Sequence, residues 1–212
     1  MFKNNKFKII LASVITLLPI IAGIILWDKL PEQLPIHWGA NGQVDGYAGK
    51  LQAIVFGPVL IFIVYWVCIL ATLLDPKNKG QNEKAFNLVI FLIPIISLAT
   101  NGFVYSAALG YSLKISTLLC FLLGVLFVFL GNYMPKIKQN FTMGIKIPWT
   151  LNSEENWNAT HRFTGKVWFI GGFIIAICAF LPSTISTICF LVISMIMVLI
   201  PVIYSYLFTK RK

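Results

Sequence analysis

Residues 51–74 read LQAIVFGPVLIFIVYWVCILATLL, an apolar stretch of 24 residues without a charged side chain. A helix needs about 20 consecutive apolar residues to cross the hydrocarbon core of a bilayer, so this stretch predicts a membrane-spanning helix. The whole chain agrees, because 58% of its 212 residues are hydrophobic and only 11% are charged. Soluble domains are about 45–50% apolar and about 25% charged. The sequence therefore predicts an all-α polytopic membrane protein.

Further uncharged apolar runs lie on both sides of this stretch. Together with it they predict six transmembrane helices, although the run that begins at residue 167 is short for a span. That run is separated from the last one by Pro182 and the serines and threonines that follow it. Proline stops a helix, and serine or threonine can cap the next one. The five further runs cover residues 9–27, 85–113, 115–134, 167–181 and 183–209.

Lysine and arginine are distributed unevenly among the connections. With six spans, fourteen of the seventeen lie on the side of both termini, and cytoplasmic connections collect these residues. We therefore expect cytoplasmic termini, an extracellular segment 28–50 and a cytoplasmic segment 134–166. The net charge of +10 then reflects topology and attraction to the anionic lipid bilayer, so no direct nucleic-acid partner is expected. The connections also divide the chain into a two-span unit, 1–75, and a four-span unit, 76–212.

Residues 28–50, DKLPEQLPIHWGANGQVDGYAGK, are called the hairpin segment here. Asn41-Gly42 is a strong hairpin signal, and extended pieces around 36–38 and 43–45 would pair across it, which would bring His37 towards Asp45. One interpretation is a ligand-recognition surface. The other is that the polar pair only supports the loop while the aromatic residues anchor it at the lipid headgroups. The candidate ligand-binding residues are His37, Trp38, Asn41, Asp45 and Tyr47.

Residues 134–166, MPKIKQNFTMGIKIPWTLNSEENWNATHRFTGK, are called the long polar segment. Its second half predicts a short helix with Asn152 or Ser153 as N-cap and Gly165 as the stop. Trp157 and His161 would share a face of that helix, against the membrane or a neighbouring loop. The segment is either an interfacial helix that positions the next span or a docking surface for a partner with an acidic face. The candidate docking residues are Pro135, Lys136, Lys146, Trp149, Trp157, His161 and Arg162.

Catalytic chemistry finds little support in the sequence. No Asp, Glu, Lys, Arg or His occurs within the six apolar runs, whereas ion-coupled transporters usually need such groups at membrane depth. One histidine and one aspartate in the hairpin segment fall short of the three or four ligands of a metal site. We therefore expect no catalytic residue, metal or cofactor. A membrane transporter or enzyme for an unidentified small ligand is the alternative function.

Both polar segments resemble the SdpI family of bacterial immunity and signal-transduction membrane proteins. The residues that carry the resemblance are LPEQLPIHWGANGQVDGY at 30–47, GNYMPKIKQNF at 131–141, GIKIPWTL at 144–151 and EENWNATHRFTG at 154–165. Lys146 and Ile147 stand where the family pattern has Arg and Thr, so the planar fork that binds a carboxylate is missing there.

The resemblance implies a multi-pass protein of the bacterial cell membrane. It would protect its producer against a secreted peptide toxin of the sporulation-delaying type. It would do so by binding the toxin on the extracellular side, and it would hold an ArsR-like transcriptional repressor at the membrane on the cytoplasmic side.

Overall fold

A computed structural model describes residues 2–78, 83–111 and 114–211. Over these residues the chain is mostly helical, with one small sheet between the first two long helices. Single turns of 3-10 helix occupy Trp27–Lys29, Pro76–Asn78 and Met134–Lys136. The other elements in chain order are α1 (Phe2–Ile25), β1 (Gln33–Trp38), β2 (Val44–Gly49), α2 (Lys50–Leu74), α3 (Glu83–Ala108), α4 (Ile115–Tyr133), α5 (Pro148–Asn152), α6 (Glu154–Cys178) and α7 (Ser183–Lys210).

Within the described residues, five helices are long and apolar enough to cross a bilayer: α1, α2, α3, α4 and α7. They correspond to five of the six predicted spans and confirm a polytopic helical membrane protein. The predicted span 167–181 coincides with the second half of α6, whose first half carries Glu154, Glu155, Arg162 and Lys166. Because the apolar part of α6 is short, a sixth crossing stays a prediction.

Helix α6 corrects the predicted helix stop at Gly165. The N-cap prediction is confirmed, because the Ser153 side chain accepts a hydrogen bond from the backbone N–H of Asn156. The helix then continues through Gly165 to Cys178. A Cβ at Gly165 would lie 2.8 Å from the Gly131 carbonyl oxygen of α4. The glycine therefore serves close helix packing and does not end the helix.

Two compact units make up the chain, the first from residues 1–73 and 86–115 and the second from 74–85 and 116–212. This grouping differs from the expected division at residue 75, because α3 joins α1 and α2. Two buried hydrogen bonds tie α3 to α1: the Ser97 hydroxyl donates to the Thr16 carbonyl at 2.8 Å, and the Tyr105 hydroxyl donates to the Pro19 carbonyl at 2.9 Å.

In the second unit, small residues and polar side chains hold the helices together. A Cβ at Gly124 or Gly172 would lie under 3.0 Å from backbone atoms of the facing helix, so α4 and α6 touch through their backbones. Between α6 and α7, the Asn156 amide donates to the Ser205 carbonyl at 3.0 Å and the Thr209 hydroxyl at 2.7 Å. Such contacts are the usual means of packing helices in lipid, where apolar surface gives no preference.

Candidate functional site

The hairpin segment forms the antiparallel sheet. Strands β1 and β2 pair with Gln33 opposite Gly49 and Trp38 opposite Val44, which confirms the predicted pairing across Asn41-Gly42. Gly42 has a φ of 80°, a left-handed conformation that glycine adopts without strain. The Asn41 side-chain oxygen accepts the backbone N–H of Gln43 at 3.0 Å. This candidate residue therefore has a structural part in the turn.

His37 and Asp45 meet on the surface of the sheet. The Nδ1 atom of His37 lies 2.5 Å from Oδ1 of Asp45, and the two side chains are 71% and 53% exposed. Gly46 faces His37 across the strands, and a Cβ there would lie 2.9 Å from the His37 Cβ. Glycine thus leaves the space in which the imidazole reaches the carboxylate.

The hairpin is fixed to the first unit at its base. Leu30 and Leu34 are buried with Ile54 and Tyr105, so one side of the segment belongs to the core. Lys50, at the start of α2, is only 8% exposed. Its ammonium group donates to the Glu32 carboxylate at 3.0 Å and to the carbonyl of Trp27 at 3.3 Å.

The outward side of the hairpin carries apolar groups beside the polar pair. Tyr47 is 59% exposed, whereas Trp38 is half-buried. Ile36 is 48% exposed and was not among the predicted residues. The register irregularity between Pro35 and His37 disturbs the strict alternation from which its orientation could be read. Ile36, His37, Asp45 and Tyr47 are therefore the exposed strand residues that form the candidate surface, and Asn41 is exposed in the turn.

In the long polar segment, buried polar side chains form hydrogen bonds that hold residues 141–143 in place. Asn140 is fully buried, and its side-chain oxygen accepts the backbone N–H groups of Thr142 and Met143 at 2.8 and 2.6 Å. Asp75, also buried, accepts the Phe141 N–H at 2.7 Å and the Thr142 hydroxyl at 3.0 Å. Neither Asn140 nor Asp75 was predicted. A polar residue after a helix or in a turn is a weak signal for such a role.

The Trp157 and His161 side chains lie under this loop. The Trp157 indole N–H donates to the Ile137 carbonyl at 2.8 Å, and its ring stacks on that of His161 with centroids 4.0 Å apart. Nδ1 of His161 lies 2.8 Å from the carbonyl oxygen of Trp157, and Nε2 accepts the Ile145 N–H at 3.1 Å. Because a backbone N–H can only donate, Nε2 carries no proton and Nδ1 donates to Trp157.

Desolvation keeps His161 neutral. Burial lowers the pKa of His161 to about 4, and the hydrogen bond with the Trp157 carbonyl partly opposes that shift. Gly144 allows the loop to cross the imidazole, since its φ is +102° and a Cβ there would collide with Nε2. His161 is therefore a structural hydrogen-bonding group.

Comparison with known proteins places both segments in a family. A family model described as the SdpI/YfhL protein family matches residues 136–205, and a domain of unknown function, DUF1648, matches residues 14–62. The Immunity protein SdpI of Bacillus subtilis (strain 168) is 30% identical over 205 residues, which cover 96% of this chain and 97% of that protein. The chain belongs to the SdpI family. No solved structure matches it.

This SdpI family member is a multi-pass membrane protein, as the membership and the five apolar helices together show. The matched DUF1648 region contains the whole hairpin, and the SdpI/YfhL region begins within the long polar segment. Among the described residues, no group of three or more His, Cys, Asp or Glu side chains could hold a metal ion.

Two of the predicted docking residues need a correction. Trp157 and His161 are 0% and 1% exposed, so neither can touch a docking partner in this arrangement. Their shared face lies on the neighbouring loop, which was one of the two predicted positions. Trp149 is half-buried and packs against Tyr206 with ring centroids 5.1 Å apart. The predicted docking residues that stay exposed are Pro135, Lys136, Lys146 and Arg162.

Proposed function

We propose that this protein is an integral membrane immunity protein that protects its cell against a secreted peptide toxin of the sporulation-delaying type. The observation that carries the proposal is the 30% identity to Immunity protein SdpI along 96% of the chain. Because the match covers 96% of this chain and 97% of the relative, it concerns the whole molecule and not one module.

The toxin-binding surface we propose is the outward side of the hairpin. Ile36 and Tyr47 offer exposed apolar area, and the His37–Asp45 pair offers a polar handle beside it. A peptide that carries apolar and polar groups can use both kinds of contact. The excess of lysine and arginine in the other connections supports an extracellular position for this surface.

Rigid support of the hairpin favours binding. The bonds of Lys50 to Glu32 and Trp27, and the burial of Leu34, hold the strands in place before any ligand arrives. A surface that is already ordered loses less conformational entropy when it binds. The proposed surface is therefore preorganised.

Survival of toxin-sensitive bacteria tests this proposal. Cells that express the wild-type chain, Tyr47→Ala or the double variant H37A/D45A are challenged with a sporulation-delaying-type peptide. Tyr111→Ala is the matched control, because Tyr111 is 67% exposed and lies beyond the end of α3 at Ala108, close in sequence to Lys114, which is predicted to lie on the same side as the hairpin. We expect wild type and Tyr111→Ala to protect, and the two hairpin variants to lose most of the protection.

Two outcomes would contradict this proposal at different levels. Sensitive cells despite membrane-inserted wild-type protein would remove the immunity function against this peptide class. Full protection by both hairpin variants would keep immunity but place the toxin contact elsewhere.

We also infer that the long polar segment docks an ArsR-like repressor on the cytoplasmic side. Lys136 and Lys146 are exposed on a loop that Asn140 and Asp75 hold in shape, and fixed cations suit a partner with an acidic face. The test is membrane co-fractionation of the repressor from toxin-treated cells. We expect K136E/K146E to leave the repressor soluble while toxin resistance persists. Unchanged recruitment by this variant would contradict docking through these lysines.

A further inference from the structure

A groove of about 770 Å³ opens in the second unit where the end of α4, the middle of α6 and the end of α7 meet. Its walls include Asn132 of α4, Arg162 and Lys166 of α6, and Tyr204 of α7. The closely packed Gly131 and Gly165 also line it. A Cβ at either glycine would lie under 3.0 Å from the backbone of the facing segment, so α4 and α6 are in close contact where they border the groove.

Positive charge without acidic compensation is the main feature of the groove. Arg162 and Lys166 lie one helical turn apart and are both exposed, and no acidic side chain is among the lining residues. The Arg162 Nε atom donates to the Asn158 carbonyl at 3.3 Å. Across the described parts of the chain neither residue forms an ion pair. Two neighbouring cations with free donors favour a phosphate-sized anion.

The groove also changes from polar to apolar along α6. Lys166 is the last charged residue of that helix, and Phe169 and Ile170, which continue the lining, are 46% and 59% exposed. On the opposite wall Tyr204 stacks on Phe163 with ring centroids 4.3 Å apart. A basic end with aromatic residues that leads into an exposed apolar end fits an amphiphile with an anionic head.

We propose that this groove binds one anionic phospholipid. The phosphate lies between the Arg162 guanidinium and the Lys166 ammonium, and an acyl chain follows Phe169 and Ile170. The positions of the charged residues support placing the bound phosphate at the level of the lipid headgroups. The charges of α6 end at Lys166, and α4 ends at Tyr133 beside the groove. Basic pockets between membrane helices bind acidic lipid headgroups elsewhere for the same electrostatic reason. Arg162 then serves lipid binding and not partner docking.

Native mass spectrometry of the full-length protein in a non-ionic detergent tests the site. The protein is titrated with dioleoyl phosphatidylglycerol or with dioleoyl phosphatidylcholine, which differ in headgroup charge. We expect one phosphatidylglycerol to bind at least about tenfold more tightly than phosphatidylcholine. The double variant R162Q/K166Q is expected to lose this preference. The matched control K146Q/R211Q removes one lysine and one arginine that are exposed outside the groove and is expected to keep it.

Several results would overturn the proposal. Equal binding of the two lipids by the wild-type protein would do so without any variant, so the test does not depend on the variants folding. An equal loss of the preference for phosphatidylglycerol in R162Q/K166Q and K146Q/R211Q would show that the preference depends only on the net charge of the protein. Displacement of phosphatidylglycerol by millimolar glycerol phosphate would indicate a site for a free anion in place of a lipid.

Discussion

The hairpin segment and the long polar segment use the same residue types for opposite purposes. Each has one histidine near tryptophan, with a glycine that makes room for the imidazole. His37 is 71% exposed and faces a carboxylate, whereas His161 is 1% exposed and bonds only to backbone. In the hairpin the polar side chains of the His37–Asp45 pair are exposed above a buried base. In the long polar segment the polar side chains of Asn140 and His161 are buried, and their hydrogen bonds hold a loop in place. Residue type alone therefore does not distinguish an exposed polar surface from a buried structural network.

The largest effect should come from Gly144→Ala in the long polar segment. The substitution forces a left-handed backbone on alanine and drives a Cβ into Nε2 of buried His161. We expect a loss of about 3–4 kcal/mol in the free energy of unfolding, measured by denaturant titration in detergent. Gly110→Ala is the matched control, because Gly110 has a φ of +85° but nothing within 4 Å. We expect a loss of about 1 kcal/mol for Gly110→Ala, which measures the backbone strain alone. Equal losses in the two variants would show that the collision with His161 does not contribute.

Acidic pH should lower the free energy of unfolding, because His161 in the long polar segment is buried in its neutral form. The pKa of His161 is about 4 in the folded protein, against an ordinary value of 6.5, so the unfolded chain binds more protons between these values. Stability is therefore complete above pH 6.5 and falls as the pH drops towards 4, by up to about 3 kcal/mol.

This dependence is measured as the difference between wild type and His161→Leu across pH 7 to 4. Taking the difference removes the contributions of the other titratable groups, which are the same in both proteins. Equal slopes in both proteins would contradict the assignment to His161.

A direct comparison of the two histidines should give a smaller effect. His161→Leu leaves the Ile145 N–H and the Trp157 carbonyl without their partners, and we expect it to cost about 2 kcal/mol at pH 7. His37→Leu, at an exposed position, should change stability by no more than about 0.5 kcal/mol. The free energies of unfolding of both variants, measured in the same detergent, test this difference. A large loss of stability in His37→Leu would show that the His37–Asp45 pair has a structural role.

A small effect confined to the hairpin is expected for Asn41→Ala at its tip. It removes one exposed hydrogen bond, to the Gln43 N–H, and should cost about 0.5–1 kcal/mol. Hydrogen exchange of the backbone amides of β1 and β2 measures it as a modest rise in local opening. Loss of protection throughout the first unit would show instead that the turn controls the whole unit.

A local signal in the sequence was sufficient to predict the hairpin, because Asn41-Gly42 marks the turn between its strands. The exact register, with His37 opposite Gly46 and Trp38 opposite Val44, was not predicted. The spans could be predicted from composition, and five of them correspond to sufficiently apolar helices. Gly165 was misread, since a glycine that ends a helix and one that admits a neighbouring backbone look the same in a single sequence. The contact of Asp75 with Phe141 joins residues 66 positions apart, and no local pattern records it.

The junction between the sheet and α2 has a mechanical consequence. Strand β2 ends at Gly49 and α2 begins at Lys50, so no slack chain separates the hairpin from a membrane helix. The Lys50 ammonium, which donates to Glu32 and to the Trp27 carbonyl, also ties the first residue of α2 to the base of the hairpin. We therefore expect a tilt of the hairpin to move the first turn of α2, because no flexible linker lies between them.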